Sequence, residues 1–208
     1  MRYPPGHRQQ TRQRLLDRAA VLMKKNGYAA TGVDALMQAA GLTGGALYAH
    51  FDSKQALLRA VVIQELAHSL DRLQGDAGLP AVQALNQVLD DYLSPAHVQD
   101  LAQGCILPAL AAELGRAEAA VQQRVAAAHA QFLQHWQARL GYPLPPAWLA
   151  TCVGAVLMAR CLPEGEAQTA VLASARALLA VSGVNPLNRP EPAELPWSVL
   201  LEALPPGH

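Results

Sequence analysis

The sequence predicts an all-α protein in which a small N-terminal helical unit is followed by a larger helical body. Apolar and polar residues do not alternate over any stretch, whereas Ala, Leu, Gln and Arg recur with the spacing of a helix face. Gly and Pro, 15 of each, fall between these segments and mark their ends. With 208 residues, of which 51% are apolar, the chain is long enough to bury a core.

The N-terminal unit is expected to begin with one long amphipathic helix. Leu15, Ala19 and Met23 form its apolar stripe, and Gly27 stands where a C′ residue ends a helix. Gly41 then separates two short helical segments, and a second long helix follows them. The four expected helices cover residues 8–26, 32–40, 44–50 and 54–74.

Short polar residues stand where N-caps are needed. Thr31 and Thr43 are expected to cap the two short helices, because a hydroxyl can accept a hydrogen bond from a free amide in the first turn. Asp52 or Ser53 is expected to cap the second long helix. Asp52 and Gln55 have the spacing of a capping box there.

The helical pattern continues through the body. Further helices are expected near residues 81–93, 95–102, 106–114, 118–140, 147–161 and 164–182, each bounded by Gly or Pro. Residues 183–208 contain six prolines and are interpreted as a tail, with one or two helical turns at 197–204.

Charge is strongly polarised although the net charge is zero. Residues 1–59 carry nine Lys and Arg against three Asp, a net +6, and the remainder carries seven basic against thirteen acidic residues, a net −6. A basic unit on an acidic body indicates a polyanionic partner for the basic unit. The polar N-terminus predicts no signal peptide. The longest uncharged run, which ends before Arg160, is broken by prolines, and its proline-free part, residues 147–159, is too short to cross a bilayer.

Three cysteines without metal-ligand spacing predict free thiols, no metal and no cofactor. Together with the missing signal peptide, they favour a cytoplasmic location.

Two short helices joined by a glycine-containing turn, inside a basic segment, match the helix-turn-helix pattern. In that motif the second helix enters the major groove of DNA while basic side chains and helix N-termini hold phosphates. Double-stranded DNA is therefore the expected partner. A non-specific chromosome-binding protein is the less favoured interpretation, because the basic segment is short and the whole chain is neutral.

The residues of this segment add a specific resemblance. Gly27-Tyr28, Thr31 and the run from Ala39 through Ala-Gly-Leu-Thr-Gly-Gly-Ala-Leu-Tyr-Ala-His-Phe-Asp-Ser-Lys to Leu57 closely resemble the DNA-binding domain of the TetR/AcrR family of bacterial regulators. The resemblance implies a three-helix helix-turn-helix domain at residues 1–56. It further implies a helical ligand-sensing and dimerisation domain at 57–184, followed here by the Pro-rich tail at 185–208. By the same resemblance the protein is a repressor that a small apolar or electrophilic effector releases from a palindromic operator.

The resemblance also implies roles for individual residues. Thr31, Tyr48, His50 and Lys54 are expected to contact phosphates. Thr43, Gly44, Ala46 and Tyr48 are expected to contact base edges, and Gly45 is expected to let the backbone approach the DNA closely. This recognition helix begins without the Lys, Arg, Gln or Asn that would make bidentate base contacts. A shallow base preference within each half-site is therefore expected, with DNA shape and half-site spacing contributing to specificity.

The last two helices of the body are expected to form a homodimer, as the resemblance implies. Small and apolar residues repeat along both of them at the spacing of one face, which permits close helix packing. Effector contacts are expected from helices that would surround a cavity, and an apolar lining suits an apolar effector. The candidate ligand-binding residues are Tyr92, Cys105, Leu110, His129, Phe132, Leu133 and Trp136.

Cys105 has a second interpretation. The Gly104-Cys105-Ile106 segment resembles a branch of the same family in which a cysteine at a helix start senses oxidants or electrophiles, and Arg160 would be its basic partner. An inert buried thiol beside a surface arginine is the alternative. A cysteine-dependent enzyme, with His129 or His135 as base, is a further and less favoured alternative because no third residue orients the base.

Overall fold

The computed structural model describes residues 7–182 and, of residues 7, 44–46, 181 and 182, the backbone alone. Within this range the chain is helical, with no strand, which confirms the predicted fold class. One 3-10 helix, Gly44–Ala49, lies between α2 and α3. The α-helices are α1 His7–Asn26, α2 Val33–Ala40, α3 Lys54–Leu73, α4 Ala81–Tyr92, α5 Pro95–Gln99, α6 Ile106–Gly115, α7 Ala119–Leu140, α8 Ala147–Arg160 and α9 Glu166–Ser182.

The helix ends in the N-terminal unit follow its glycines. Gly27 and Gly41 have positive φ angles of 82° and 68°, and their amides bond back to the preceding turn. Both glycines therefore end their helices as predicted, since a left-handed residue is easiest for Gly. The second short helix differs from the prediction in being a 3-10 helix that ends at Ala49.

The cap predicted at Thr31 is wrong, whereas Thr43 is the N-cap residue of the 3-10 helix as predicted. Gly32 is the N-cap of α2, and the Thr31 hydroxyl instead donates to the Gly27 carbonyl at 2.6 Å. Thr43 does precede the 3-10 helix, but its side chain makes no capping hydrogen bond. For α3 the alternatives resolve in favour of Ser53, whose hydroxyl accepts from the Ala56 amide at 3.0 Å.

Two hydrophobic clusters organise the chain, and α3 runs through both. The first cluster joins α1, α2, the 3-10 helix and the first three turns of α3, with Leu15, Leu36 and Leu47 fully buried. Ile106 and Leu110 of α6 also belong to it, so the body packs directly on the N-terminal unit. The boundary predicted after residue 56 falls within the first turn of α3.

The second cluster fills the body between α4, α7, α8 and α9. At one end of it, α7 holds the end of α3: the Trp136 indole donates to the Leu73 carbonyl at 2.9 Å, and Arg139 donates to the carbonyls of Gln74, Asp76 and Leu79. The bonds to Leu73 and Gln74 satisfy carbonyls that the end of α3 leaves free, and those to Asp76 and Leu79 fasten the loop that follows it.

The remaining predicted helices are confirmed with small shifts at their ends. The largest shift is in α5, which ends at Gln99 because residues 101–104 turn back toward α6. α9 begins after Gly165, two residues later than predicted. The tail predicted at residues 185–208 lies outside the described residues.

Candidate DNA-binding interface and effector cavity

The 3-10 helix presents one side chain outward and anchors itself with another. Leu47 is fully buried in the first cluster, whereas Tyr48 has 64% of its surface exposed. Thr43, at the start of the helix, is also exposed. The side chains at 44–46, where Gly44, Gly45 and Ala46 were predicted to meet DNA, are outside the described part of the chain.

Two arginines of α1 lie beside this helix, and the site prediction did not include them. The Arg8 guanidinium donates to the Ala49 carbonyl at 3.0 Å, and the Arg12 guanidinium lies 4.7 Å from the centre of the Phe51 ring. Burial together with the charges of Arg8 and Arg12 lowers the pKa of His50, which keeps that imidazole neutral at neutral pH. The excess of basic residues in α1 was the sequence signal for these contacts.

Lys54 and Thr31 occupy different environments. The Lys54 ammonium lies at the first turn of α3, donates to the Tyr28 carbonyl at 2.9 Å and lies 4.5 Å from the centre of the Tyr28 ring. It thereby adds a fixed positive charge to a helix N-terminus. Thr31 is buried, and its hydroxyl already donates within the turn after α1.

A cavity of about 440 Å³ lies in the body between α3, α4, α5 and the segment that leads into α6. Its wall is chemically mixed, with apolar side chains and several hydrogen-bonding groups. Among the residues that line it are Ser69, Leu73, Val88, Tyr92, His97 and Cys105.

His97 organises the wall around Cys105. Its Nδ1 lies 2.6 Å from the Tyr92 carbonyl, which can only accept, so Nδ1 carries the proton. Its Nε2 consequently accepts the Cys105 amide at 3.1 Å. Burial lowers the pKa of His97, in agreement with a neutral ring that both bonds require.

Cys105 is buried at the start of α6. Its sulfur accepts a long hydrogen bond of 3.7 Å from the Ser69 hydroxyl. Arg160, the predicted basic partner, donates to the carbonyls of Val98 and His97 at 3.1 and 3.3 Å and so fixes α5 against α8. The structure therefore places the Arg160 guanidinium behind the wall that His97 and Cys105 form.

The predicted ligand-binding residues fall into different places. Tyr92 and Cys105 lie together on the cavity wall, whereas Leu110 lies in the first cluster. Phe132 and Trp136 are buried in the second cluster, and Leu133 packs against it. His129 lines a separate apolar groove between α6, α7 and α8.

The two histidines considered as bases for Cys105 are engaged elsewhere. His129 donates to the Pro146 carbonyl at 3.1 Å, and His135 donates to the Gln74 carbonyl at 3.0 Å. Neither lines the cavity that Cys105 lines.

Among residues 7–182, no group of His, Cys, Asp and Glu is arranged to hold a metal ion. No helix in this range is long and apolar enough to span a membrane.

A buried helical core that carries an exposed 3-10 helix, with the basic side chains of Arg8 and Lys54 near it, has the architecture of helix-turn-helix regulators. Residues 15–61 match the model of the bacterial regulatory proteins of the tetR family. The HTH-type transcriptional regulator UidR of Escherichia coli K12 is 26% identical over 127 residues, which make up 57% of this chain and 64% of UidR. The match thus spans less than two thirds of that relative.

Solved structures agree in fold. A TetR transcriptional regulator from Chloroflexus aurantiacus superposes with a TM-score of 0.69 at 27% identity, covering 84% of this chain and 94% of that one. A TetR-family regulator from Agrobacterium tumefaciens superposes with a TM-score of 0.65 at 21% identity, covering 84% and 98%. The N-terminal unit thus matches the tetR family model, and the described chain shares the fold of a solved TetR regulator over most of its length.

Proposed function

We propose that the protein is a homodimeric repressor that binds a palindromic operator and leaves it when a small-molecule effector occupies the body. The observation that carries this proposal is the exposed phenol of Tyr48 on the 3-10 helix, with Arg8 and Arg12 on one side and Lys54 at the start of the next helix. Phenol and cationic donors in this arrangement suit a phosphate backbone on both sides of a major groove.

Homodimerisation is supported by an exposed face on α8 and α9. Leu157 and Met158 are 40% and 53% exposed, and Leu178 of α9 is exposed as well. Gly154 lies one turn before Met158 and leaves room for a second backbone to approach. A two-fold dimer through this face would present two recognition helices to two half-sites about 34 Å apart.

The cavity is the best-supported effector site because it adjoins the contact between body and N-terminal unit. Gly104, on its wall, accepts a hydrogen bond of 3.2 Å from Lys24 of α1. A ligand that moves residues 100–105 would therefore act on a helix of the DNA-binding unit. Such a ligand changes the DNA affinity only to the extent that it binds the DNA-bound and the released conformations of the protein with different affinities.

Fluorescence anisotropy tests the proposal directly. The full chain is titrated onto labelled duplex from the DNA that flanks its own gene and onto scrambled duplex, across a salt series. We expect saturable binding with a preference for the flanking DNA and at least tenfold weaker binding by Tyr48→Ala, since an exposed contact residue is removed. Equal affinity for both duplexes, with dimeric protein, would contradict the proposal.

A cysteine-based response is a second candidate, favoured by the position of Cys105 on the cavity wall. Burial raises the pKa of the Cys152 thiol to about 12, so Cys152 stays protonated and unreactive at neutral pH. Cys161 is exposed and would react with any reagent first. The test is therefore made in a Cys161→Ser background: N-ethylmaleimide should lower DNA affinity, and Cys105→Ser should abolish the effect. Unchanged affinity after stoichiometric modification of Cys105 would eliminate this candidate.

A further inference from the structure

We propose that residues 197–204 of the same chain dock as a short helix in the apolar groove between α6, α7 and α8. The groove has a volume of about 460 Å³ and is separate from the cavity that Cys105 lines. Residues 197–204 lie outside the described residues, so the proposal rests on their sequence and on the chemistry and position of the groove. It goes beyond the proposed function and does not depend on it.

The walls of the groove are apolar and open to solvent. Leu114 and Leu149, which line it, are buried, whereas three alanines on its walls are exposed, one from each helix. These alanines are Ala111, Ala126 and Ala150. Their small side chains leave room between the helices, and water in contact with such a surface is unfavourable. The groove is therefore an apolar surface that another apolar segment would stabilise by covering it.

The polar groups in the wall are already paired within the fold. The Gln122 amide nitrogen donates to the Gly115 carbonyl at 2.8 Å, and the His129 imidazole donates to the Pro146 carbonyl at 3.1 Å. Among the described residues that line the groove, none carries a charge at neutral pH other than through protonation of His129. A polar or charged ligand would find few partners here, whereas an apolar helix face needs none.

The sequence of the C-terminal segment supplies such a face. Four apolar residues recur at the i, i+3, i+4 and i+7 spacing of one helix face: Trp197, Leu200, Leu201 and Leu204. Ser198 and Glu202 fall on the opposite face, Pro196 suits a first helical turn, and Pro205 stops a helix. A helix this short is not stable alone in water, so it needs a surface to pack on. The same spacing anchors short helices in grooves of other proteins.

The course of α9 brings the chain toward the groove. Residues 161–165 alone join α8 to α9, and the Gln168 side chain donates to the Ala159 carbonyl at 3.0 Å. The two helices are therefore antiparallel, and α9 runs back toward the N-terminal half of α8, which lines the groove with Leu149, Ala150 and Val153. The fourteen residues 183–196 can span up to ~46 Å, several times the ~10 Å between packed helices.

The length of the segment also fits. Eight residues of α-helix are ~12 Å long, and the wall that α7 provides from Gln122 to His129 extends over two turns, ~10 Å. One short helix would therefore cover the groove from end to end. A second copy of the chain is the competing occupant, because Val153 of the groove lies one turn before Leu157 on the exposed face of α8.

Hydrogen exchange of the full-length protein, followed by mass spectrometry, tests whether the segment docks. The reference is a synthetic peptide of residues 193–206, which has no groove to bind. We expect the amides of residues 197–204 to exchange at least tenfold more slowly in the protein than in the peptide. Exchange at the rate of the peptide would overturn the proposal.

Variants on both surfaces test where the segment docks. Ala126→Trp fills the groove from an exposed position and should remove the protection of residues 197–204, whereas Ala127→Trp, at the exposed neighbour outside the groove, should keep it. Leu201→Glu places a charge on the apolar face and should also remove the protection, whereas Ser198→Glu on the opposite face should keep it. Protection that survives Ala126→Trp, or that Ala127→Trp removes equally, would overturn the docking site.

A crosslink distinguishes the same chain from a second copy. Ala126→Cys and Leu201→Cys are combined in the Cys161→Ser background, because Cys161 is the exposed native thiol among the described cysteines. A short bismaleimide should join them within one chain, giving a band of monomer size on a denaturing gel. Val82→Cys with Leu201→Cys, which uses an exposed position on α4, should not crosslink. A crosslinked dimer would assign the segment to the partner's groove and overturn the proposal.

Discussion

The Lys24 ammonium lies 2.5 Å from a Glu65 carboxylate oxygen, and both side chains are almost completely buried between α1 and α3. The same ammonium donates to the Gly104 carbonyl at 3.2 Å. One buried cation therefore joins the first helix of the N-terminal unit, the long helix that runs into the body, and the wall of the cavity. His68 also approaches Glu65, at 3.4 Å, from the solvent side.

Removing only the cation of this buried ion pair should lower the stability of the protein strongly. Lys24→Met leaves the Glu65 carboxylate buried without its main partner and removes one hydrogen bond from Gly104. We expect the free energy of unfolding to fall by about 3 to 5 kcal/mol, the range found when one member of a buried ion pair is deleted. Urea unfolding at neutral pH, followed by circular dichroism, measures the change.

The double variant Lys24→Met/Glu65→Met is the control. It removes both charges, and a similar apolar volume replaces them, so most of the lost stability should return. If the double variant were as unstable as Lys24→Met, the loss would come from packing and not from an unpaired charge.

Stability should fall in mildly acidic solution because of His97. The ring must be neutral to accept the Cys105 amide, and burial lowers its pKa below the usual value of about 6.5. The unfolded chain then binds a proton at a higher pH than the folded chain does. The contribution of His97 is therefore complete above about pH 6.5 and is lost as the pH falls through its folded pKa. Urea unfolding at pH 7.5 and pH 5.5 measures this loss.

A glutamine at residue 97 isolates this effect. His97→Gln keeps an acceptor that can reach the Cys105 amide but does not titrate, so its stability should depend less on pH over the same interval. The pKa of His50 is also lowered and will contribute a residual dependence of the same sign. An unchanged pH dependence in His97→Gln would assign the whole effect to other groups.

The sequence predicted the helices well because their ends depend on local residues. Gly27 and Gly41 end helices by adopting positive φ, which their own lack of a Cβ permits. Thr31 failed as a cap because α2 starts one residue later than predicted, with Gly32 as its N-cap, and the Thr31 hydroxyl donates to the Gly27 carbonyl in the preceding turn. A threonine hydroxyl can hydrogen-bond to several neighbouring backbone groups, and the local backbone conformation determines which of them it reaches.

The cavity was much less predictable than the helices. An apolar helix face looks the same in sequence whether it packs in a core, as Trp136 does, or lines a cavity. Ser69 and His97 were not predicted as site residues, since they meet Cys105 only through the packing of α3 and α5. Tyr92 and Cys105 were predicted and lie on the cavity wall, which leaves their role as ligand contacts to experiment.

Arg8 should contribute to DNA affinity through phosphate contact. Its guanidinium uses one donor on the Ala49 carbonyl and remains exposed beside the 3-10 helix. Arg8→Gln should weaken binding to every duplex to a similar extent and reduce the slope of log K against log salt by about 0.9, the value for one phosphate. Anisotropy titrations at four salt concentrations measure the slope.

Arg176→Gln is the matched change in the body. Arg176 pairs with Asp90 and lies on α9, remote in sequence and packing from the 3-10 helix. The Arg176→Gln substitution should leave both the affinity for DNA and the salt dependence of that affinity unchanged. If Arg8→Gln altered the preference between operator and scrambled DNA while the slope stayed constant, Arg8 would contact a base and not a phosphate.

The exposed face of α8 should hold the dimer together. Leu157 is 40% exposed at the centre of this face, next to Met158. In a two-fold interface each substitution occurs on both subunits, so Leu157→Glu places two carboxylates in one apolar contact. We expect the variant to sediment as a folded monomer and to lose at least tenfold in affinity for a palindromic operator, because a single unit contacts only one half-site.

Val82→Glu tests whether a new charge alone explains that result. Val82 is 56% exposed on α4, so the substitution adds the same charge to an apolar surface residue away from α8. It should sediment as a dimer and bind operator as the unmodified protein does. A dimeric Leu157→Glu variant would place the interface elsewhere, whereas a monomeric Val82→Glu variant would extend the interface to α4. The two sedimentation profiles together therefore identify which helix face carries the dimer contact.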